Sequence, residues 1–289
     1  MNDAARTEAP EETLHRIASA ARRVETPCGD GRMVWHLWGE SGSALVLLHG
    51  GAGSWRHWVR TIEPFATRHR LLVPDLPGMG ESADPPSPPS MAEIAAITAR
   101  GIEQILGPSE PYDLAGFSFG ASVGGHVALL HGARMRSLTL IGPGGLVQPR
   151  QPLRLERVRG KTGAELMEAH RTNLLRLMLA DEASVDPLAL AIQDWNASHA
   201  RLDTPSLIAK RPLAESLPQL SIPVNAVWGE RDQYAYWGLD ERIAVIRELC
   251  PHAHIHVVPV AGHWLAYEDA PAFNAYLTDR LRHSAPSSP

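Results

Sequence analysis

Short apolar runs recur along this chain, separated by segments long enough to form a helix. Most of the runs are apolar at successive positions, which is typical of strands that are buried on both faces of a parallel sheet. The pattern therefore predicts an α/β fold with a mostly parallel twisted sheet and helices on both faces. The first two runs are expected to form an opening hairpin. The runs span residues 34–38, 45–48, 71–75, 113–116, 137–141, 224–228 and 255–260.

The alternation of strands and helices is interrupted over residues 145–212. No apolar run in that stretch predicts a core strand, whereas residues 166–179 and 187–199 have helical periodicity. An insertion of this kind predicts a helical cap above the carboxyl ends of the strands, where it roofs a pocket. The predicted organisation is a polar segment over residues 1–23, a core over 24–144 and 213–283, the inserted cap over 145–212 and a disordered tail over 284–289.

The fourth run leads directly into residues 116–120, with the sequence Gly-Phe-Ser-Phe-Gly. A Gly-x-Ser-x-Gly pattern between a strand and a helix is the form of a nucleophile elbow, a sharp turn that exposes a serine hydroxyl above the sheet. Glycine is needed at both outer positions because the chain segments approach too closely for a Cβ atom. We therefore predict that Ser118 is a catalytic nucleophile. Ser122 belongs to a second, overlapping match, but no strand precedes it, so it is expected to pack the helix against the sheet.

A serine hydroxyl needs a positioned imidazole that accepts its proton, and in this kind of fold the acid and then the base follow the serine. His263 is the candidate base because it follows the last apolar run, in a Gly-His loop before a closing helix. Asp232 is the candidate acid that orients the imidazole, since it follows the preceding apolar run. Glu230 is the alternative acid, or else a solvated charge of the same loop.

An oxyanion hole requires two backbone N–H groups that point to the position where negative charge develops. Phe119, the residue after the serine, supplies the first candidate. The second is expected from the glycine-rich loop after residues 45–48, where Gly51 is the candidate donor and Ala52 the alternative. His49, at the start of this loop, is expected to anchor the loop through hydrogen bonds rather than to act as a second base.

Composition narrows the class of protein. The chain has 289 residues, of which 44% are hydrophobic, and a net charge of −5 spread along its length. Nothing in these values indicates a nucleic acid or a membrane as partner. The candidate nucleophile, base and acid predict a small-molecule substrate instead. The first residues lack a basic cluster before an apolar segment, and no apolar run reaches the roughly 18 residues of a membrane span. Together with two widely separated cysteines, this predicts a cytoplasmic protein.

Several histidines and tryptophans have two interpretations. The three alternating histidines within residues 252–256 would share one face of a strand, as metal ligands do. Because no carboxylate cluster accompanies them, they are expected at a solvent-facing edge, and no metal site is predicted. Trp55, Trp58, Trp195 and Trp264 are candidates for the wall of a substrate pocket, with packing in the core as the alternative. Phe117 and Asp194 are further candidates for that wall.

Together these motifs resemble those of the α/β-hydrolase superfamily and, within it, the meta-cleavage product hydrolases, which split carbon–carbon bonds in ring-opened aromatic metabolites. The resemblance extends over about residues 34–283. It implies an α/β-hydrolase fold and a triad of Ser118, Asp232 and His263. It rests on the loop His49-Gly50-Gly51, the serine turn, residues 141–146 and 228–232, the loop Gly262-His263-Trp264 and the pair Phe273-Asn274.

The chain departs from these hydrolases at two positions that bear on the substrate. Phe117 stands where they usually have a small polar asparagine, and the pair Asp194-Trp195 stands where they carry a cap arginine before a tryptophan. That arginine binds the substrate carboxylate, whereas an aspartate would repel it. Arg171 and Arg201 are the alternative cations in the predicted cap.

We therefore expect a cofactor-free serine hydrolase that cleaves a small, fairly apolar carboxylic ester through an acyl-enzyme. The alternative is hydrolysis of a carbon–carbon bond in a vinylogous diketone, for which the same triad first assists tautomerisation of the substrate. A second alternative, from another class, is a slow or non-catalytic ligand-binding protein of the same fold. Such a protein would bind its ligand far more readily than it consumes it. Dehalogenases and epoxide hydrolases of this fold are excluded, because they need a carboxylate at position 118.

Overall fold

The structure is a computed structural model that describes residues 8–148, 154–235 and 238–284. Its centre is an eight-stranded sheet formed by β1 (Arg22–Cys28), β2 (Gly31–Trp38), β3 (Ser43–Leu48), β4 (His69–Pro74), β5 (Tyr112–Phe117), β6 (Met135–Ile141), β7 (Val224–Gly229) and β8 (His254–Val258). The strand order is β1-β2-β4-β3-β5-β6-β7-β8. β2 pairs antiparallel with β1 and with β4, and all other neighbours are parallel. This topology confirms the predicted α/β class.

The expected opening hairpin is wrong in its partners. β2, which contains the first apolar run, forms its hairpin with β1, and the register joins Arg22 to Leu37 and Cys28 to Gly31. β3 lies between β4 and β5, near the middle of the sheet. Its apolar sequence suits this position, because both faces of a central strand are covered. The polar sequence of β1 suits an edge and contains no apolar run, so its pairing with β2 cannot be read from the apolar pattern.

Helices cover both faces of the sheet. They are α1 (Pro10–Ser19), α2 (Ile62–Ala66), α3 (Met91–Leu106), α4 (Phe119–His131), α5 (Gly163–Asn173), α6 (Pro187–Ser198), α7 (Thr204–Ile208), α8 (Pro212–Ser216), α9 (Leu239–Leu249), α10 (Leu265–Glu268) and α11 (Ala270–Ser284). A π-helical turn over Leu174–Met178 continues α5. None of the helices in the described ranges is long and apolar enough to cross a membrane.

The described part of the predicted cap, residues 145–148 and 154–212, contains helices and no strand. The boundaries proposed for the cap and the core stay predictions. Residues 285–289 of the predicted tail lie outside the described residues, and Ser284 ends the last helix.

The core consists of two apolar layers, one on each face of the sheet. β3 contributes to both, because successive side chains of a strand point to opposite faces. Val46 and Leu48 lie in one layer, and Leu45 and Leu47 lie in the other. All four are fully buried, and each contributes about 2 kcal/mol of apolar transfer free energy. An uninterrupted apolar run is therefore what a strand between two helical layers requires.

The parallel strands β3 and β5 to β8 end at the same edge of the sheet. The loops after their carboxyl ends contain His49, Ser118, Gly142, Asp232 and His263. Ligands of open α/β sheets bind in this position, outside the carboxyl ends of the strands. The topology therefore brings the chemically interesting residues of the sequence to one edge.

Candidate active site

Ser118 lies in the sharp turn between β5 and α4. Its backbone has φ 51° and ψ −109°, a conformation that residues with a side chain rarely adopt. A Cβ atom on Gly116 would lie 2.4 Å from the carbonyl oxygen of Gly120, and one on Gly120 would lie 2.4 Å from that of Leu48. The N–H of Ser118 donates to the carbonyl of Ile141 at 2.8 Å, which holds the turn against β6. The turn therefore has the geometry of a nucleophile elbow, and its close approaches explain both glycines.

Ser122 lies one turn further along α4 and is fully buried. Its hydroxyl donates to the carbonyl of Gly144 at 2.9 Å. This bond ties the helix to the loop after β6. The structure therefore favours a packing role for Ser122, as its sequence context indicates.

The structure brings Ser118, His263 and Asp232 into one line of hydrogen bonds. Nε2 of His263 lies 3.0 Å from Oγ of Ser118, and its Nδ1 lies 2.8 Å from Oδ2 of Asp232. His263 is 2% exposed and Asp232 is 1% exposed, so little water competes for these bonds. When Nδ1–H donates to the carboxylate, Nε2 is the acceptor for the serine proton. This arrangement can activate a serine hydroxyl at neutral pH.

The second carboxylate oxygen of Asp232 is held by the backbone. Its Oδ1 accepts the N–H of Tyr234 at 2.9 Å and the N–H of Ala235 at 3.1 Å. These bonds turn Oδ2 towards the imidazole. Glu230, the alternative acid, is exposed, and its Oε2 accepts the N–H of Val260 at 3.1 Å. The carboxylate of Glu230 is thus directed to the backbone before the candidate base rather than to its ring.

Gly142, which follows β6, lies beside the candidate base and acid, and the sequence reasoning did not single it out. Its φ is +48°, and a Cβ atom there would lie 2.9 Å from Nδ1 of His263 and 3.1 Å from Oδ2 of Asp232. A side chain at this position would therefore press on the hydrogen bond between imidazole and carboxylate. The glycine belongs to the segment 141–146 that carries the family resemblance, but the sequence does not show what it approaches.

Two neutral histidines hold the glycine-rich loop after β3. His49 is fully buried; its Nδ1–H donates to the carbonyl of Gly50 at 2.7 Å, and its Nε2 accepts the N–H of Leu76 at 2.8 Å. His57 is 3% exposed, and its Nδ1 accepts the N–H of Gly50 at 3.3 Å. Burial lowers the pKa of His49 to about 4, and burial together with the neighbouring imidazoles lowers the pKa of His57 well below its usual value. The hydrogen bonds of His49 favour the anchoring role predicted for it. His57, which no sequence motif singles out, holds the same loop.

These bonds bear on which N–H groups are left for an oxyanion. The N–H of Gly50 is used by His57, whereas no described residue accepts the N–H of Gly51. Phe119 begins α4, so its N–H has no acceptor within the helix and lies at the positive end of the helix dipole. Ala52, the alternative donor, is exposed. Gly51 and Phe119 stay the predicted pair of oxyanion donors.

The aromatic residues predicted for the pocket differ in position. The ring of Phe117 packs against the imidazole of His263, with 4.9 Å between centroids. Trp264 is 1% exposed, and its indole N–H donates to a backbone carbonyl at 2.8 Å. Trp55 is equally buried, and its ring packs against Trp38 at 5.6 Å. The structure thus places Phe117 beside the candidate base and favours core packing for the two tryptophans.

Asp194 and Trp195, on α6, are both engaged by other parts of the chain. Nε2 of His170 donates to Oδ1 of Asp194 at 3.0 Å, which joins α5 to α6. The indole of Trp195 packs against the guanidinium of Arg56, 3.4 Å from the ring centroid, and against the imidazole of His199, 3.9 Å between centroids. The structure therefore accounts for both residues as contacts within the protein.

The two alternative cations of the predicted cap are in different situations. Nε of Arg201 donates to the carboxylate of Asp84 at 2.7 Å, and its other nitrogens donate to the carbonyls of Ser82 and His199. Arg201 is thus already bound. Arg171, on α5, is partly buried and has no ion pair within the described ranges. Of these two arginines, Arg171 is the one left to bind a ligand.

Two of the three alternating histidines lie on β8, whereas His252 precedes the strand and its Nε2 lies 3.1 Å from the carbonyl oxygen of Ile222. His254 and His256 are exposed, and both rings pack against Tyr276 with 6.2 and 5.0 Å between centroids. In the part of the chain that the structure describes, no group of three or more His, Cys, Asp or Glu side chains is arranged to hold a metal ion.

The chain is similar to known proteins along most of its length. A family model described as alpha/beta hydrolase fold matches residues 43–270. The 2-hydroxy-6-oxo-6-phenylhexa-2,4-dienoate hydrolase of Burkholderia cepacia is 28% identical over 255 residues, which cover 83% of this chain and 88% of that protein. The 2-hydroxy-6-oxononadienedioate/2-hydroxy-6-oxononatrienedioate hydrolase 2 of Pseudomonas putida is 27% identical over 261 residues, which cover 85% and 90%.

Solved structures share the fold at lower identity. An esterase from Rhodococcus superposes with a TM-score of 0.75 at 20% identity, covering 92% of this chain and 100% of that one. The family model extends from β3 to the start of α11 and thus includes the serine, the imidazole and the carboxylate. Sequence and structure agree that the chain is an enzyme of the α/β-hydrolase family.

Proposed function

We propose that this hydrolase acts through Ser118 as nucleophile, His263 as general base and Asp232 as the acid that orients the base. The observation that carries the proposal is the unbroken line of hydrogen bonds from the serine hydroxyl to the buried carboxylate. Ser118 attacks a carbonyl carbon while Nε2 of His263 takes its proton. The N–H groups of Phe119 and Gly51 bind the oxyanion. The leaving group takes the proton from the imidazole, and water then resolves the acyl-enzyme by the same route, without a cofactor.

The substrate class is best sought among ring-opened dienoates, which changes the order of the two candidate reactions. Curated relatives at 27 to 28% identity are named as hydrolases of such compounds and match along most of their length. The main objection from the sequence was that Asp194 would repel a substrate carboxylate. Its Oδ1 accepts a hydrogen bond from His170, which accounts for the aspartate as a contact between helices. We therefore place hydrolysis of a carbon–carbon bond first.

A dienoate also needs a cation that binds its carboxylate. Arg201 is held by Asp84 and by backbone carbonyls, so the first choice moves to Arg171. Arg171 is the residue after His170 on α5, in the described part of the predicted cap. In this proposal the arginine binds the carboxylate, and the triad assists tautomerisation before Ser118 attacks the ketone.

Hydrolysis of a small apolar ester is the second candidate, and one observation favours it. Phe117 replaces the expected asparagine, and a Cβ atom on Gly50 would lie 3.0 Å from its ring and 3.3 Å from Cβ of Ser118. The side chain before the nucleophile is therefore an apolar ring packed against the glycine-rich loop, rather than a polar amide, which suits the acyl group of an uncharged ester.

A side-by-side rate assay decides between the candidates. The purified protein is offered p-nitrophenyl acetate, p-nitrophenyl butyrate and 2-hydroxy-6-oxo-6-phenylhexa-2,4-dienoate, with Ser118→Ala as control. A dominant Ser118-dependent rate on the dienoate, lost in Arg171→Gln but kept in Arg201→Gln, supports carbon–carbon hydrolysis. A dominant ester rate with a negligible dienoate rate supports the esterase. Binding of the dienoate without turnover of any substrate contradicts both and favours the ligand-binding class.

A further inference from the structure

The carboxylate of Glu268, at the end of α10, joins two segments that are far apart in sequence. Its Oε1 accepts the N–H of Ala180 at 2.8 Å and the N–H of Asp181 at 2.7 Å. Its Oε2 accepts the N–H of Gly262, the residue before His263. One side chain thus binds the predicted cap and the loop of the candidate base at the same time.

A second bond joins the same two segments on the other side of His263. The N–H of Trp264 donates to the carbonyl of Met178 at 2.7 Å. A Cβ atom on Gly262 would lie 2.7 Å from the nitrogen of Ala180 and 3.0 Å from the oxygen of Met178, so the two backbones are in direct contact. Both neighbours of His263 in sequence are therefore bound to residues 178–181 or to the carboxylate that holds them.

The bonds of Glu268 require both of its oxygens as acceptors. Three backbone N–H groups point to them, and protonation of the acid would set an O–H against one of these donors. Glu268 is partly buried, and burial raises its pKa while the three N–H groups oppose that shift. The site is therefore built for a carboxylate, and an amide of the same size cannot replace it.

Residues 178–181 lie where motion of the predicted cap would reach them. They follow the π-helical turn that continues α5, and the N–H of Leu179 closes that turn on the carbonyl of Leu174 at 2.8 Å. π-Helical turns interrupt the regular ladder of a helix and often occur at functional sites. The segment then leads towards α6, so a shift of either helix would be transmitted to the backbone on both sides of His263.

We propose that Glu268 is a positioning residue, which holds the loop of His263 against residues 178–181 and so keeps the imidazole within reach of Ser118. The inference rests on the proposed function of that pair. Glu268 acts through the backbone and contacts no substrate. Its loss should therefore slow the proton transfer from Ser118 rather than weaken substrate binding.

The test compares Glu268→Gln with Glu248→Gln, which removes a charge from an exposed position on α9. A displacement of about 1 Å between reacting groups costs roughly 100-fold, so we expect kcat of Glu268→Gln to fall about 10- to 100-fold. KM should change less than about twofold, because the interaction acts after binding. Hydrogen exchange at the amides of residues 180, 181 and 262 should become faster. Glu248→Gln should match the wild type in all three measurements.

The outcomes separate this inference from the proposed function. If Ser118→Ala removes activity but Glu268→Gln keeps the kcat of the control, the positioning role is overturned. A rise in KM without a fall in kcat overturns it as well. If the wild-type protein shows no Ser118-dependent turnover, the proposed function fails. Unchanged amide exchange in Glu268→Gln would show that Glu268 does not hold residues 180, 181 and 262, and it would overturn the inference. Should Glu268→Gln not fold, Glu268→Asp keeps both oxygens on a shorter side chain, and an unchanged kcat in that variant contradicts the inference.

Discussion

Replacement of Asp232 by asparagine is expected to disable the site while leaving its shape intact. Oδ1 of Asp232 accepts two backbone N–H groups, from Tyr234 and Ala235. An asparagine must place its carbonyl oxygen there, because its NH₂ group would face two donors. The NH₂ group then occupies the position of Oδ2, 2.8 Å from Nδ1 of His263.

The consequence for the imidazole follows from the direction of that bond. An NH₂ donor requires Nδ1 of His263 to accept, so the ring proton moves to Nε2 and faces the hydroxyl of Ser118 at 3.0 Å. The ring can then no longer take the serine proton. The same exchange of tautomer in a serine protease costs about 10⁴ in kcat, which corresponds to about 5.5 kcal/mol of transition-state stabilisation.

The assay is kcat of Asp232→Asn on whichever substrate the wild type turns over, with the melting temperature as a check on folding. Because the asparagine keeps both backbone bonds, we expect the melting temperature to change little while kcat falls about 10⁴-fold. Glu230→Gln serves as the matched control and should retain near-normal kcat. A kcat for Asp232→Asn within tenfold of the wild type would show that another group orients His263.

Two further substitutions and one titration have defined outcomes. Ser118→Gly should be inactive and about 1 kcal/mol more stable than Ser118→Ala, since glycine tolerates the positive φ; equal melting temperatures would contradict the strain. Gly142→Ala should lower kcat at least about tenfold by pressing on His263, whereas Gly132→Ala, with φ +49° and open space around it, should not; equal kcat values would count against that contact. His49 should titrate by NMR near pH 4. Its folded pKa lies below the unfolded value, so it contributes about 3 kcal/mol of stability that is lost as pH falls from about 6.5 towards 4. Titration of His49 at an ordinary histidine pKa would contradict the predicted effect of its burial.

The parts of the fold and of the candidate site that could be predicted are those in which local sequence and local geometry coincide. The glycines around Ser118 are required by contacts of the turn itself and of the adjoining loop after β3. The runs that became β3 and β5 are apolar because each lies between two helical layers. In both cases, a short segment carries the physical reason for its own structure.

The remaining features depend on contacts between segments that are far apart in sequence. Nothing in the local sequence distinguishes Glu268 from a glutamate of the surface, yet its hydrogen-bond partners lie at residues 180, 181 and 262. The sequence offers Arg201 as an alternative cation for the substrate, but in the structure it is bound to Asp84. No periodicity or motif shows which backbone N–H or carboxylate a long polar side chain will meet.

The pairing of β2 could not be predicted for a related reason. Sheet edges are polar, so β1 lacks the apolar run that marks the central strands. The apolar pattern therefore predicts a hairpin with the next apolar run, β3, which pairs with β4 and β5 instead.

The assignment of Ser118 as the nucleophile is decided by mass spectrometry of the protein after reaction with a fluorophosphonate, which captures activated serines. We expect a single adduct, mapped to Ser118, that is absent in Ser118→Ala and forms much more slowly in His263→Ala. An adduct on Ser122, or labelling of Ser118→Ala at the wild-type rate, would contradict the proposed mechanism.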